Sequence, residues 1–162
     1  MYAMVSLRTP RKNYEIFRNY VRTLYIRGMK KLDEVKSIVN EPAARYQKAH
    51  EGITKSDFIA VVAMTGLNLS EFSAFLPVSK RTIEKVKEEE LLNPLVSDRV
   101  LQIATLYQQG IELFGSTAAF KEWMNSSVIS LGGKKPINFI DNATGIAIIH
   151  DLLGRIEHGV YS

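Results

Sequence analysis

Helical periodicity runs through this 162-residue chain, and it narrows the fold more than any other feature. Tyr14, Phe17, Val21 and Leu24 recur at spacings of three and four, with Arg18, Asn19 and Arg22 between them. That pattern describes an amphipathic basic helix, which Gly28 is placed to end. Leu32, Val35 and Val39 mark a second helix, which stops before Glu41-Pro42 because a residue preceding proline avoids the α region. Pro42 opens a third helix at its first position, ending near Gly52. Thr54-Lys55-Ser56-Asp57 then reads as a capping-box start, with Asp57 also meeting the positive helix end. The apolar helix behind it reaches Met64, and Gly66 stands at its C′ position.

The same punctuation continues. Asn68 with Glu71 caps a short helix whose buried face includes Leu69, Phe72 and Leu76. Pro77-Val78 turns the chain, and Ser79 caps a helix expected to run to about Glu90. Asn93-Pro94 reopens the chain into a long helix to Phe114, with Leu95, Leu101, Ala104, Leu106 and Ile111 among its apolar positions. Gly115-Ser116 restarts a shorter helix through Trp123. Residues 126–136, with Leu-Gly-Gly-Lys-Lys-Pro, form the one clear interruption and read as a hinge-like loop. A last helix runs from about Thr144 to Glu157, with Ile146, Ile149, Leu153 and Ile156 on one stripe. The fold class is therefore all-α, with no internal repeat.

Charge divides the chain unevenly. Residues 1–55 hold twelve Lys/Arg against five Asp/Glu, whereas residues 56–162 hold nine against twelve. A basic arm on a mildly acidic body suits a polyanion, because such contacts release DNA counterions; a solvated surface explains the charges equally well. The basic helix of residues 11–27 suits DNA, a membrane surface, a partner or apolar surface of its own protein. The longest apolar run, Phe58 to Met64, falls far short of the roughly 20 residues that span a bilayer, and no secretory h-region is present. With no cysteine anywhere, disulfides and thiolate metal sites are excluded, and a cytoplasmic location with no membrane partner is the expectation.

The stretch LSEFSAFLPVSKRTIEKV has the layout of a helix-turn-helix, a short helix and a tight turn leading into a second helix. Val78 would plug the corner while Ile83 and Val86 face inward, leaving Ser79, Lys80, Arg81, Thr82 and Lys85 outward. Hydroxyls and a helix N-terminus suit phosphate oxygens, and an arginine can bond guanine bidentately. Paired helices also occur in bundles that never meet DNA. Pro77 stands where many such turns use glycine, and Glu84 with Glu88 to Glu90 would repel phosphates at close range.

Catalysis finds no constellation. His50, His150 and His158 lack the i, i+4 pairing of a metal site, and Asp151 and Glu157 lie six residues apart on one helix beside His158. Gly132-Gly133-Lys134 lacks the spacing of a phosphate loop and the Ser or Thr that follows it. Phe120 and Trp123 at helical spacing read as core. No metal, cofactor or enzymatic activity is expected.

From about Gly52 onward an ordered set of short matches resembles the Xre/MbcA/ParS antitoxins, which are paired with RES-domain toxins. The set begins with Arg81-Thr82 and Ser97-Asp98-Arg99, then Trp123, Leu131-Gly132-Gly133 with Pro136, and Asp141 with Thr144-Gly145. It closes on Leu152-Leu153-Gly154-Arg155-Ile156-Glu157-His158-Gly159-Val160-Tyr161. Ser127 and Ile129 stand where the family often has prolines, which implies a more mobile loop. The resemblance implies a helix-turn-helix DNA-binding region at 52–114 and a C-terminal toxin-binding region at 115–162, and leaves residues 1–51 outside it as a basic helical extension. It also implies a homodimer within a larger complex, which covers the active site of a RES-domain toxin and represses its own operon through operator DNA. RES toxins consume NAD, so the cofactor belongs to the partner and this chain is expected to bind none. Carried over residue by residue, Arg155, Glu157, His158, Gly159 and Tyr161 are the toxin-facing set. The other functional reading is a stand-alone helix-turn-helix repressor, whose last helices only dimerise or sense a ligand.

Overall fold

The computed structural model describes the backbone of residues 11–160 and the side chains of residues 15, 18, 19, 22 and 26–160. Among the described residues eight α-helices follow one another: α1 Arg11–Asn40, α2 Pro42–Glu51, α3 Lys55–Thr65, α4 Leu69–Ser73, α5 Lys80–Lys85, α6 Pro94–Phe114, α7 Thr117–Met124 and α8 Ala143–Glu157. Two 3-10 turns, Ile129–Leu131 and Pro136–Phe139, link α7 to α8. Among the described residues there is no strand, only the isolated bridges Thr54–Leu91 and Val128–Lys134. The all-α expectation holds. None of the described helices is long and apolar enough to cross a membrane.

Local chemistry sets most of the boundaries. Thr54 caps α3 by accepting from the Asp57 amide, and the Asp57 carboxylate accepts from the Thr54 amide in return. Asn68 and Glu71 make the same reciprocal pair at α4. Asn93, Ser116 and Asn142 cap α6, α7 and α8, and Pro42 and Pro94 occupy first-turn positions where no amide is needed. Gly66 ends α3 in the left-handed conformation, φ 66°.

Two expectations fail at helix ends. Gly28 does not end the first helix: α1 continues unbroken to Asn40, and Gly28 takes no positive φ. An interior glycine costs a helix only about 1 kcal/mol relative to alanine, and the following turns bury Val35 and Val39 against the body. The apolar stripe Tyr14, Phe17, Val21 and Leu24 lies outside the described side chains. The second failure is α5, which stops at Lys85 rather than near Glu90. Its continuation is captured by the start of α3, where the Lys55 and Ser56 amides donate to the Glu90 and Glu88 carbonyls. The Lys55 ammonium donates to the Glu84 and Val86 carbonyls. Two orphan amides at the start of α3 are thus satisfied by carbonyls of the segment that follows α5, and carbonyls at the end of α5 by the Lys55 ammonium.

Helix α6 is the spine of the molecule, packing against α1, α2, α3, α7 and α8. Val96, Val100, Leu101, Ile103, Ala104, Leu106 and Tyr107 on it are fully buried. Phe120 of α7 meets Tyr107 edge-on, with ring centroids 5.1 Å apart, and lies directly over Gly110. Trp123 stacks on Phe120 and is half-buried, in line with a core role. On α8 the expected stripe is realised: Ile146, Ile149 and Leu153 are buried and Ile156 is half-buried. Residues 126–136 form a hydrogen-bonded turn. The Val128 amide donates to the Lys134 carbonyl, Gly133 donates back to Val128, and the Ser127 hydroxyl donates to the Gly133 carbonyl.

Candidate functional site

The first candidate surface is built by α4, the 74–79 turn and α5. Phe72 and Ile83 are fully buried and Val78 is half-buried, so the corner is held from inside. Ser79, Lys80, Arg81, Thr82 and Lys85 are all exposed, as the periodicity requires. Their chemistry is uneven. Ser79 is the N-cap of α5, and its hydroxyl accepts from the Thr82 amide and lies 2.9 Å from the Thr82 hydroxyl. Lys80 lies 3.6 Å from Glu84 one turn on. Arg81 and Lys85 have no hydrogen-bond or ion-pair partner among the described residues. The acidic run leaves the helix axis at Val86, so Glu88, Glu89 and Glu90 do not continue the exposed face of α5. With only six residues, α5 presents a short face.

The second candidate surface is the outer side of α8 and the chain that leaves it. Ala147, Ile148, Asp151, Arg155, Glu157, His158, Gly159 and Val160 are exposed there. Arg155 already has a partner within the chain, since its guanidinium lies 2.7 Å from the Asp151 carboxylate. Gly159 takes φ 68°, its amide donates to the Ile156 carbonyl, and the Val160 amide donates to Arg155. That is a Schellman ending, which only a residue tolerant of positive φ completes without strain. Gly159 therefore has a structural duty independent of any partner. Tyr161 lies outside the described residues.

Two helical glycines on α8 differ in kind. At Gly145 a Cβ would sit 1.8 Å from the Phe139 carbonyl oxygen, so this glycine is required by the protein's own packing. At Gly154 a Cβ would meet nothing within 4 Å.

Several family-like residues turn out to be braces. The buried Ser97 hydroxyl accepts from the Ile53 amide and donates to the Leu92 carbonyl. Arg99 donates to the Phe75 carbonyl ahead of α5 and to the Asp141 carbonyl ahead of α8. His150 sits half-buried against Gln109, 2.6 Å away; burial, with the Arg45 charge beside it, holds its pKa below the ordinary value of 6.5. Asp57 would be pushed up by burial alone. The Lys31 ammonium 2.9 Å away and the Thr54 hydrogen bonds outweigh that and hold it below 3.8. Among the described residues no three His, Asp or Glu side chains gather to hold a metal.

One concave feature was not expected from sequence. A cleft of about 620 Å³ lies between α2 and α6, lined by Pro42, Tyr46, His50, Leu95, Asp98 and Gln102. Tyr46 and Leu95 at its edge are 69% and 66% exposed. The two proline-opened helices forming it are far apart in sequence, and only their packing creates it.

Comparison with known proteins bears on the second surface. Residues 109–159 match the family described as the antitoxin Xre/MbcA/ParS C-terminal toxin-binding domain. That match takes in the C-terminal third of the chain. An antitoxin Xre of Yersinia enterocolitica is 31% identical over 70 residues, 43% of this chain and 47% of that protein. Another, from Photorhabdus laumondii, is 30% identical over 67 residues, 41% and 45% of the two chains. The chain thus spans about half the length of these curated relatives. A longer match, 25% identical over 131 residues and covering 75% of this chain and 82% of the relative, is to a Sphingobium protein described as a Prs ADP-ribosylating antitoxin. In structure, the chain resembles one in the crystal structure of the M. tuberculosis MbcT–MbcA toxin–antitoxin complex. The TM-score is 0.51 at 17% identity, over 67% of this chain and 96% of that one, a likeness of fold. The stretch matched to that family model takes in the end of α6, α7, both 3-10 turns and α8, and hence nearly all of the second surface.

Proposed function

We propose that this chain is the antitoxin of a toxin–antitoxin pair, that the outer side of α8 and the tail beyond it cover a RES-domain toxin, and that α4–α5 bind operator DNA. One observation carries the reading. Helix α8 buries its apolar stripe on α6, yet leaves Ile148, Asp151 and Arg155 exposed on its outer face and Glu157 and His158 exposed at its end, within a match to a toxin-binding domain. The Asp151–Arg155 pair is exposed and worth under about 1 kcal/mol, so Arg155 can exchange it for an acidic group on the toxin at small cost. Glu157, His158 and Tyr161 complete the toxin-facing set, and Gly159 shapes the turn that presents them.

On the DNA side, Arg81 is the base-reading group and Lys80 and Lys85 meet phosphates, with Ser79 and Thr82 closing the helix start near the backbone. The protein acts as a homodimer and binds no cofactor; NAD is consumed by the partner. Residues 52–114 then serve DNA and residues 115–162 serve the toxin, with 1–51 as a basic extension.

The test is co-expression with the product of the neighbouring gene. That product alone should arrest growth and deplete cellular NAD, and this chain should restore both. The Glu157→Arg/His158→Glu variant should lose protection while still binding its promoter DNA. An NAD pool that never falls would defeat the RES pairing. Full protection by the variant would remove the tail from the contact.

A further inference from the structure

The first twenty residues of α1 form an arm that overhangs the body. Three contacts fix its direction. Lys31 pairs with Asp57 in the first turn of α3, and Ser97 at the start of α6 bonds Ile53 just before α3. Farther on, Asn40 at the end of α1 bonds Gln108, three helical turns beyond Ser97 on α6. Between Lys31 and Asn40, α1 therefore runs alongside α6 in the same sense. Upstream of Lys31 it must continue past the N-terminal ends of both α3 and α6, for roughly 30 Å at 1.5 Å per residue. Every described side chain from Glu15 to Lys30 is exposed, whereas Val35 and Val39 are fully covered.

The arm leaves the body at the end where α5 is anchored, because Lys55, beside Asp57, holds the Glu84 and Val86 carbonyls. Its chemistry is one-signed. Residues 16–31 contain Arg18, Arg22, Arg27, Lys30 and Lys31 and no Asp or Glu. No carboxylate among the described residues lies within ion-pair distance of Arg18, Arg22, Arg27 or Lys30. At 3.6 residues per turn these four fall within one half of the helix circumference, over about 18 Å of axis. Duplex DNA offers one phosphate charge per roughly 1.7 Å of its own axis.

We infer that the overhanging half of α1 is a phosphate-binding arm, which lies along the DNA backbone beside the site contacted by α5 and adds affinity without sequence preference. This rests on the DNA-binding reading of α4–α5, and the experiment separates the two. The wild-type chain is titrated with a duplex of its own promoter and with a random duplex of equal length, at several salt concentrations. Each lost phosphate contact lowers the slope of log K against log salt by about 0.9. The Arg18→Gln/Arg22→Gln/Arg27→Gln/Lys30→Gln variant should therefore lower the slope by about 2–4, and weaken binding to both duplexes tenfold or more. The four Arg→Lys or Lys→Arg exchanges at these positions should preserve the slope, which guards against misfolding as the cause. Arg81→Ala should instead reduce the preference for the promoter. If Arg81→Ala has that effect while the neutralised arm keeps the wild-type slope, the arm is refuted and the α5 reading stands. If the wild type binds neither duplex, both fail. An unchanged slope accompanied by loss of dimer on sedimentation would make the arm an interface between copies, in which Glu88–Glu90 of one copy are natural partners. An unchanged slope with lost binding to phosphatidylserine vesicles would make it a membrane contact. Either result overturns the inference.

Discussion

Replacing Gly154 with alanine separates what α8 needs for folding from what it offers a partner. The position is in the helix interior, about two turns after the buried Ile146, and a Cβ there meets no atom within 4 Å. Nothing offsets the ordinary gain from removing a helical glycine, about 0.5–1 kcal/mol. Spread over a chain of this size, that gain raises the midpoint of thermal unfolding by roughly 1–4 °C. The assay is thermal and urea unfolding of the free protein, followed by circular dichroism. A midpoint that stays put or falls would mean that the last turns of α8 are not an open helix, and the reasoning would be wrong at its root. Against the toxin the expected sign reverses. If the partner's surface closes over Gly154, the added methyl should cost tenfold or more in affinity, about 1.4 kcal/mol. A more stable chain with unchanged toxin affinity would place the contact elsewhere on α8.

Gly145→Ala should do the opposite to stability, because its Cβ would fall 1.8 Å from a backbone oxygen that cannot move aside. A loss of about 3 kcal/mol, at the upper end of overpacking costs, lowers the unfolding midpoint by roughly 6–12 °C in the same scan. Stability should also decline in two acid steps. His150 has a folded-state pKa below its unfolded 6.5, so its contribution is present above pH 6.5 and is lost as pH falls through the lower folded value. Asp57 repeats this below pH 3.8, where protonation removes its bonds to Lys31 and Thr54. Urea unfolding across pH 3–8 checks both, and His150→Gln should abolish the first step only.

How much of this was legible depended on whether a signal was local. The capping pairs Thr54–Asp57 and Asn68–Glu71, the glycine at 66 and the first-turn prolines at 42 and 94 complete their bonding within four residues, and each marked its boundary correctly. The end of α5 was not local. VKEEE is adequate helix sequence, but the two amides that capture its carbonyls belong to Lys55 and Ser56, some thirty residues earlier. Gly28 misled for the converse reason: glycine stops a helix only where the chain takes up the left-handed turn, and the packing downstream never called for it. The outward set Ser79, Lys80, Arg81, Thr82 and Lys85 followed from period alone. The bond of Arg155 to Asp151 was within reach of the same rule, being an i, i+4 pair of opposite charge on one helix. The cleft between α2 and α6 was out of reach, since no sequence spacing relates Tyr46 to Leu95.

The two candidate surfaces are separate, but the interior beneath them is continuous. Phe120, on the C-terminal side of any division near residue 115, lies on Gly110 so closely that a Cβ there would come within 2.2 Å of the ring. Arg99 extends the connection, with one guanidinium holding the carbonyl of Phe75 before α5 and that of Asp141 before α8. A cut at residue 115 would strip α6 of Phe120, Met124, Ile149 and Leu153 together, all of them fully buried. At roughly 1.5–3 kcal/mol for each large side chain exposed, that exceeds half of an ordinary domain's net stability. Removing a whole region would therefore unfold the other, and loss of both activities in such a deletion would say nothing about where either resides. Only substitutions on exposed positions, such as Arg81 on α5 or Glu157 and His158 beyond α8, leave this shared interior intact and so can tell the two surfaces apart.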